Sequence, residues 1–464
     1  MKTTSILMAA LAGTAMAIPN TKAAQAKKVN LQAFNAPQAV SMEVLRERKV
    51  KQHERDVAKG AFRMNAYKAA GATACVDGYA GEYKCNNIDL KGFIRHQDMQ
   101  SRTRIGNDVW GWTSATGREF AIVGQTDGTA FVEVLKDGSL QYMGRLPTQT
   151  VASTWRDAKV IGNYVYIGSE AANHGLQIWD LRQLLTVDPA KPVTFPLSSQ
   201  AATFLEFGSS HNIVANEETQ TIFAVGTPRN GKCRAGLWMV DVSNPNRPQD
   251  SGCVSSDGYV HDAQCVIYWG PHAQYQGREI CFNFNEDALT IVDVTRHGMP
   301  VQLSRTTYRG ATYTHQGWLA DPQMRYLLLD DELDEQYKSG EAADQHTTTY
   351  IVDITDLTWP VFRGVYKSPV VSIDHNQYVV DGISYQANYG SGLRMVNVST
   401  VALDDTGSLF EEVGFFDVRP EDDDLPGGGE ATFNGAWSVY PYFKSGHIVV
   451  NSIERGLFSL KYSA

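Results

Sequence analysis

The chain has 464 residues, of which 43% are hydrophobic and 20% charged, and a formal net charge of −10 at pH 7. That composition is enough to build a sizeable core, and an acidic balance without a basic patch excludes nucleic acid as the expected partner. Twenty-one Tyr, nine Trp and forty Gly favour strands and turns over helices.

Residues 1–17 read as a secretory signal. Lys2 supplies a positive start, Ile6 to Ala12 a short apolar run, and Ala15-Met16-Ala17 a small-residue cleavage site. The run is too short to span a bilayer, and no later stretch is long and apolar enough to do so, so no transmembrane segment is expected. Residues 18–71 form a separate N-terminal segment. Within it, Met42-Glu43-Val44-Leu45-Arg46-Glu47-Arg48 opens a highly charged stretch that suits a solvated helix or a cleaved propeptide. Its apolar face is too thin to hold a membrane.

Residues 72–464 carry a repeat, which bounds the fold more tightly than any single motif. Its signature is an apolar strand closing on Asp: Leu176–Leu181, Leu237–Val242, Leu289–Val294 and Tyr350–Ile354, with Asn in place of Asp in Leu393–Val398. Ala130–Val134 and Leu457–Tyr462 are weaker copies. Each copy follows another apolar strand, and the first six precede one that often has a central Gly, as in Tyr142-Met143-Gly144-Arg145-Leu146 and Phe362-Arg363-Gly364-Val365-Tyr366. Four short strands in about 50 to 60 residues is the length of a propeller blade. The expected fold is an all-β, seven-bladed β-propeller rather than a β-sandwich. The last copy lacks a fourth strand, and Asp89–Ile94 resembles one. It is expected to complete blade seven and close the ring, which removes an exposed edge.

The six cysteines suit an oxidising compartment. Their spacing suggests local pairs, Cys75 with Cys85, Cys233 with Cys253 and Cys265 with Cys281, although other connectivities stay open. No CxxC supports a zinc ribbon or a thioredoxin-like site. Asn397-Val398-Ser399 is a glycosylation sequon if its Asn faces solvent.

Chemistry concentrates where each blade begins. Aligned units place Asn107-Asp108, Arg156-Asp157, His211-Asn212, His261-Asp262, His315-Gln316, His375-Asn376 and Gly435-Ala436 in one column. The first strand of a blade lines the central channel. Loops joining second and third strands on the same face carry Asp127, Glu170, His174, Glu286, Asp287, Asp330, Asp331, Glu332 and Glu454. His211, His261, His315 and His375 are therefore candidate ligands for zinc, copper or iron. Asp108, Asp157, Asp262, Glu170, Glu286, Asp331 and Glu332 are candidate groups at the channel mouth that orient the rings or move protons. The acidic loops also suit calcium, although there is no EF-hand. The competing expectation is structural, with polar side chains tying neighbouring blades together or holding water. The long loop from Asp330 to about Gln345 suits either a lid or a solvated excursion.

The LxIVD-like strands, with Tyr259-Val260-His261-Asp262-Ala263-Gln264-Cys265, Tyr313-Thr314-His315-Gln316-Gly317-Trp318 and Leu328-Leu329-Asp330-Asp331-Glu332, resemble the LVIVD-repeat, choice-of-anchor B family of exported proteins. The resemblance spans about residues 72 to 464. It implies a propeller in a secreted, extracellular or surface location, and it assigns no catalytic residue. The chain ends at Ser463-Ala464 without an anchor, so release into the medium is expected. There is no GxSxG, HExxH or GxxxxGK[ST]. Two functions remain in view. One is a monomeric binding module that presents its channel mouth to an extracellular glycan, peptide or surface partner. The other is a metal-dependent hydrolase or oxidoreductase on the four histidines.

Overall fold

The structure, a computed structural model, describes residues 39–463. The expected signal and the first part of the N-terminal segment lie outside them. The remainder is a seven-bladed propeller. Blades 1 to 6 take their four strands in chain order. Blade 7 combines Ala436–Tyr440, His447–Ser452 and Gly456–Tyr462 with Ile88–Arg95, which pairs antiparallel to Gly456–Tyr462 from the far end of the chain. The ring closes as the repeat plan expects, and Gly456–Tyr462 is not left as an edge strand.

The repeat residues explain themselves locally. The Asp that ends each third strand accepts the backbone N–H two residues on: Asp241 from Ser243 at 2.9 Å, and Asp293 from Thr295 and Asp353 from Thr355 at 3.0 Å each. Asn397 does the same with Ser399 at 3.1 Å. A side-chain oxygen there starts the turn into the fourth strand. The recurrent Gly of the fourth strand sits opposite a register shift, Phe131 facing Gly144, Met239 facing Gly252, Ile351 facing Gly364 and Met395 facing Gly414. Each is a β-bulge that bends the outer strand. A Cβ at Gly252, which has φ +147°, would lie 2.2 Å from the His297 carbonyl oxygen, so the close approach requires glycine.

Three disulfides have the expected partners, Cys75–Cys85, Cys233–Cys253 and Cys265–Cys281. The first anchors Tyr83–Asn86, which adds to the outer strand of blade 6. The last joins directly opposed residues of the two inner strands of blade 4. Among the described residues no helix is long and apolar enough to cross a membrane.

The N-terminal segment departs from the solvated helix its composition suggests. Helix α1, Met42–Lys59, lies across one mouth of the channel. Its buried residues are Met42, Leu45, Lys49, Gln52 and Asp56, a stripe at spacings of three and four. Three of the five are polar, and their partners are the loops of the ring: Lys49 pairs with Glu332, Gln52 donates to Asn434, and Asp56 accepts from Asn434. Met42 N–H also donates to Glu286 and Arg46 to Glu170. Polar pairing seats this helix together with Met42 and Leu45, which pack against Tyr259, Tyr313, Leu333 and Ile373.

Candidate metal centre in the central channel

The channel is layered below α1. The uppermost layer is ionic. Arg46 holds Glu170 with two hydrogen bonds at 2.7 and 3.0 Å. Arg229 bridges Glu43 and Glu286. Lys49 reaches deepest, its Nζ 2.5 Å from Glu332 Oε1, under the rings of Tyr389, Phe433 and Trp437. Tyr389 O–H donates to the same Glu332 oxygen at 2.5 Å. Burial pushes the Lys49 amine below its ordinary value, against the pull of Glu332.

The four predicted histidines form the next layer as a continuous arc. Ring centroids are 4.2 Å apart for His211 and His261, 4.1 Å for His261 and His315, and 4.4 Å for His315 and His375. All four are buried. Tyr259 and Tyr313, each two residues before a histidine, wall the arc edge-on to His211 and His261. Gly226, at φ +60°, ends the strand beside His211, where a Cβ would sit 2.5 Å from the histidine Cβ.

Hydrogen bonding sets the tautomers. His261 Nδ1 lies 2.9 Å from the His315 carbonyl, and His375 Nδ1 lies 2.6 Å from the Trp437 carbonyl. A carbonyl only accepts, so the proton is on Nδ1 and the neutral ring keeps its Nε2 lone pair. His261 Nε2, both nitrogens of His315 and Glu332 Oε2 are buried without any partner. One ligand atom from each of His261, His315 and Glu332 lies within 4.8 Å of the others. His315 Nε2 and His375 Nε2 are each 3.6 Å from a Glu332 oxygen. Burial, followed by the charges of neighbouring histidines and Lys49, pushes His261 and His315 well below the ordinary imidazole range. Burial and Lys49 do the same to His375. The rings are held as neutral bases, the form that ligates a metal.

The other predicted residues divide between layers. Glu170 orients His211, accepting at 2.7 Å from Nδ1. Burial raises this carboxyl, but the bonds from His211 and Arg46 outweigh it and keep the value low. Glu286 belongs to the α1 contact. Asp331 turns away from the histidines and accepts from Tyr308 O–H and the N–H groups of Thr312, Tyr313 and Leu333. Asp127 pairs with Arg145, and Glu454 accepts from Asn434 and Gly435. Asp108, Asp157 and Asp262 lie one step below the arc, around Lys159, which is 2.7 Å from Asp157 and 3.4 Å from Asp108. Asp108 and Asp157 also accept the N–H groups of Ala158 and Ile213 from the following blades. Burial pushes Asp262 up to about 7, with Lys159 opposing. The space between the histidines and these aspartates is about 10 Å³, room for one water-sized particle.

Beyond Lys159, Asp262 and Tyr378 the channel widens into a cavity of about 510 Å³ at the opposite mouth. Trp110, Trp112, Trp318, Tyr440 and Tyr442 are among its walls. Three features escaped the sequence. Lys49 sits on a segment whose composition reads as solvated. Glu332 does not stand apart from the other loop acids. The aromatic walls come from three blades far apart in the sequence, Trp110 and Trp112 from blade 1, Trp318 from blade 5 and Tyr440 and Tyr442 from blade 7. The repeated Tyr-x-His of Tyr259 and Tyr313 was legible, but it belongs to the wall of the histidine arc and not to this cavity.

Residues 154–192 and 233–255 match the family model described as LVIVD repeat. The chain carries LVIVD repeats. The first match spans the inner three strands of blade 2, and the second the outer two of blade 3. No curated protein matches the chain. The match covers parts of blades 2 and 3, and the histidine arc lies outside both matched segments.

Proposed function

We propose that this LVIVD propeller is an exported protein that binds one divalent transition-metal ion in its channel. The ligands are Nε2 of His261 and His315 and the carboxylate of Glu332, flanked by His211 and His375. The carrying observation is the convergence of unpartnered, buried lone pairs on these three groups. Leaving such atoms unpaired is costly, and two imidazoles with one carboxylate suit zinc, iron or copper. Three protein ligands leave coordination positions for water or substrate, so hydrolysis or oxidation of a small molecule entering from the aromatic mouth is the chemistry this site supports. Asp262 lies between that mouth and the arc, where it can exchange a proton with the bound molecule.

Metal content of the full chain, purified without tag or chelator, tests this by mass spectrometry. About one zinc, iron or copper per chain is expected, and its loss in His261→Ala/His315→Ala with unchanged circular dichroism. A parent that takes up none of these ions, or a double variant that keeps its metal, overturns the proposal.

A second reading rests on the large cavity, whose Trp and Tyr walls suit stacking against a glycan or an aromatic peptide side chain. In this reading the propeller is a binding module. Glycan-array binding that survives the double His variant and fails in Trp318→Ala would favour it.

A further inference from the structure

A second cluster stands apart from the histidine arc. The long loop of blade 5, open in sequence terms to being a lid or a solvated excursion, instead folds into a short helix α2, Asp334–Tyr337, packed inward. Asp334 and Glu335 are fully buried, as is Asp374, which enters from the turn between blades 5 and 6 and is 1% exposed. One oxygen from each of the three lies within 4.8 Å of the others. Tyr350 O–H donates to Asp334 Oδ2 at 2.8 Å, and Thr348 N–H to Glu335 Oε1 at 3.0 Å. Asp334 Oδ1, Glu335 Oε2 and both oxygens of Asp374 have no partner at all. A buried carboxylate accepting nothing through either oxygen is a strong exception to the rule that buried polar groups are satisfied. Here it faces two more half-satisfied carboxylates.

Three like charges cannot stay close in a dry interior without neutralisation. Protons are one solution, and burial does push all three carboxyls well up. A cation is the other, and it answers all four empty oxygens together. We infer that Asp334, Glu335 and Asp374 form a calcium site that closes the long loop of blade 5 onto blade 6. The donor set is all oxygen, which disfavours zinc and copper. Calcium accepts irregular oxygen cages, whereas magnesium demands near-octahedral geometry and keeps several waters. The site is separate from the channel metal but linked to it along the chain. Glu332 is two residues before Asp334, and Asp374 immediately precedes His375. A calcium ion here fixes the backbone that aims both channel groups.

Calorimetric titration of the EGTA-stripped full chain with calcium chloride tests the site. One ion is expected to bind with a Kd of about 1 mM or tighter and to raise the melting temperature. Asp374→Asn and Glu335→Gln should each weaken binding at least about tenfold, a loss of roughly 1.4 kcal/mol. His261→Ala/His315→Ala, which removes the channel ligands, should bind calcium as the parent does. A parent that binds no calcium at several times that concentration overturns the inference, and so do both acidic variants binding it unchanged. If either acidic variant fails to fold, the titration of the parent and the other variant decides.

Discussion

The two halves of the ring use the same position differently. In blades 1, 2 and 7 the residue at the start of the inner strand serves the frame. Asn107 donates to the Thr154 carbonyl of the next blade at 2.9 Å, Arg156 donates to Thr148 and Gln177, and Gly435, at φ +93°, gives its N–H to Glu454. In blades 3 to 6 the position is histidine, and His261 and His315 keep nitrogens that bond nothing. The contrast extends to histidines outside the arc. His96 uses both nitrogens, one on the Ser452 carbonyl at 2.7 Å and one on Gln125 at 3.1 Å. His174 does likewise, with the Gly175 carbonyl at 2.9 Å and Arg156 at 3.2 Å. Burial alone therefore does not explain the empty nitrogens of the arc. At this position one half of the ring is frame, and the other half holds imidazole nitrogens that bond nothing.

The largest expected effect comes from breaking the charge balance over the arc. Glu332→Ala removes the partner of Lys49, whose Nζ is otherwise surrounded by aromatic rings. An uncompensated buried charge costs about 3–5 kcal/mol, and the urea midpoint should fall accordingly. Lys49→Met/Glu332→Leu removes both charges at similar volume and should recover most of that loss. Lys49→Met alone leaves Glu332 without its competing cation, so it should bind the transition metal more tightly than the parent. If the double variant is as unstable as Glu332→Ala, the loss comes from removing the Lys49–Glu332 interaction itself and not from an uncompensated charge.

The frame half sharpens the comparison through pH. Burial lowers His96 from 6.5 to about 4, because its folded site has no place for a second proton. The unfolded chain therefore binds more protons between these values, and stability falls as pH drops from 6.5 towards 4. The full contribution is about 3 kcal/mol and is present above pH 6.5. Urea denaturation at pH 7 and pH 4 should show His96→Gln losing less stability on acidification than the parent, by about that amount. Equal losses in parent and variant would mean that this histidine is not held neutral by the fold.

The frame was legible in the sequence because its rules are local. A terminal Asp or Asn starts a turn on blades 2 to 6, a Gly sits at the bulge of blades 1, 3, 5, 6 and 7, and an apolar strand precedes every copy, so the repeat cannot be mistaken for chance. The split seventh blade was visible for the same reason, since Asp89–Ile94 carries the fourth-strand pattern. The histidine arc was visible as a column, because one residue type recurs at one phase. What completes the arc was not. Glu332 is one acid among several in loops of unequal length, and only the folded loop of blade 5 distinguishes it from Asp331. Lys49 lies on a helix whose inward stripe is mostly polar, so an apolar-periodicity test passes over it. The acids of α2 and Asp374 are separated by the third and fourth strands of blade 5 and meet only in three dimensions.

The smallest effect concerns the repeat residue itself, and it separates a structural Asp from a functional one. Asp241 accepts the Ser243 N–H through Oδ1 at 2.9 Å, with its side chain at the outer end of the third strand, away from the channel. An amide oxygen can accept that bond equally well, and blade 6 already uses Asn397 in the same role. Asp241→Asn should therefore leave the urea midpoint almost unchanged. Asp241→Ala leaves the turn N–H to water and should cost about 1 kcal/mol. Neither should alter metal content, because the substitution touches only the frame. A large loss in Asp241→Asn would mean that the negative charge, not the acceptor oxygen, is what the repeat preserves. The Asn in blade 6 would then mark a weakened blade rather than an equivalent one.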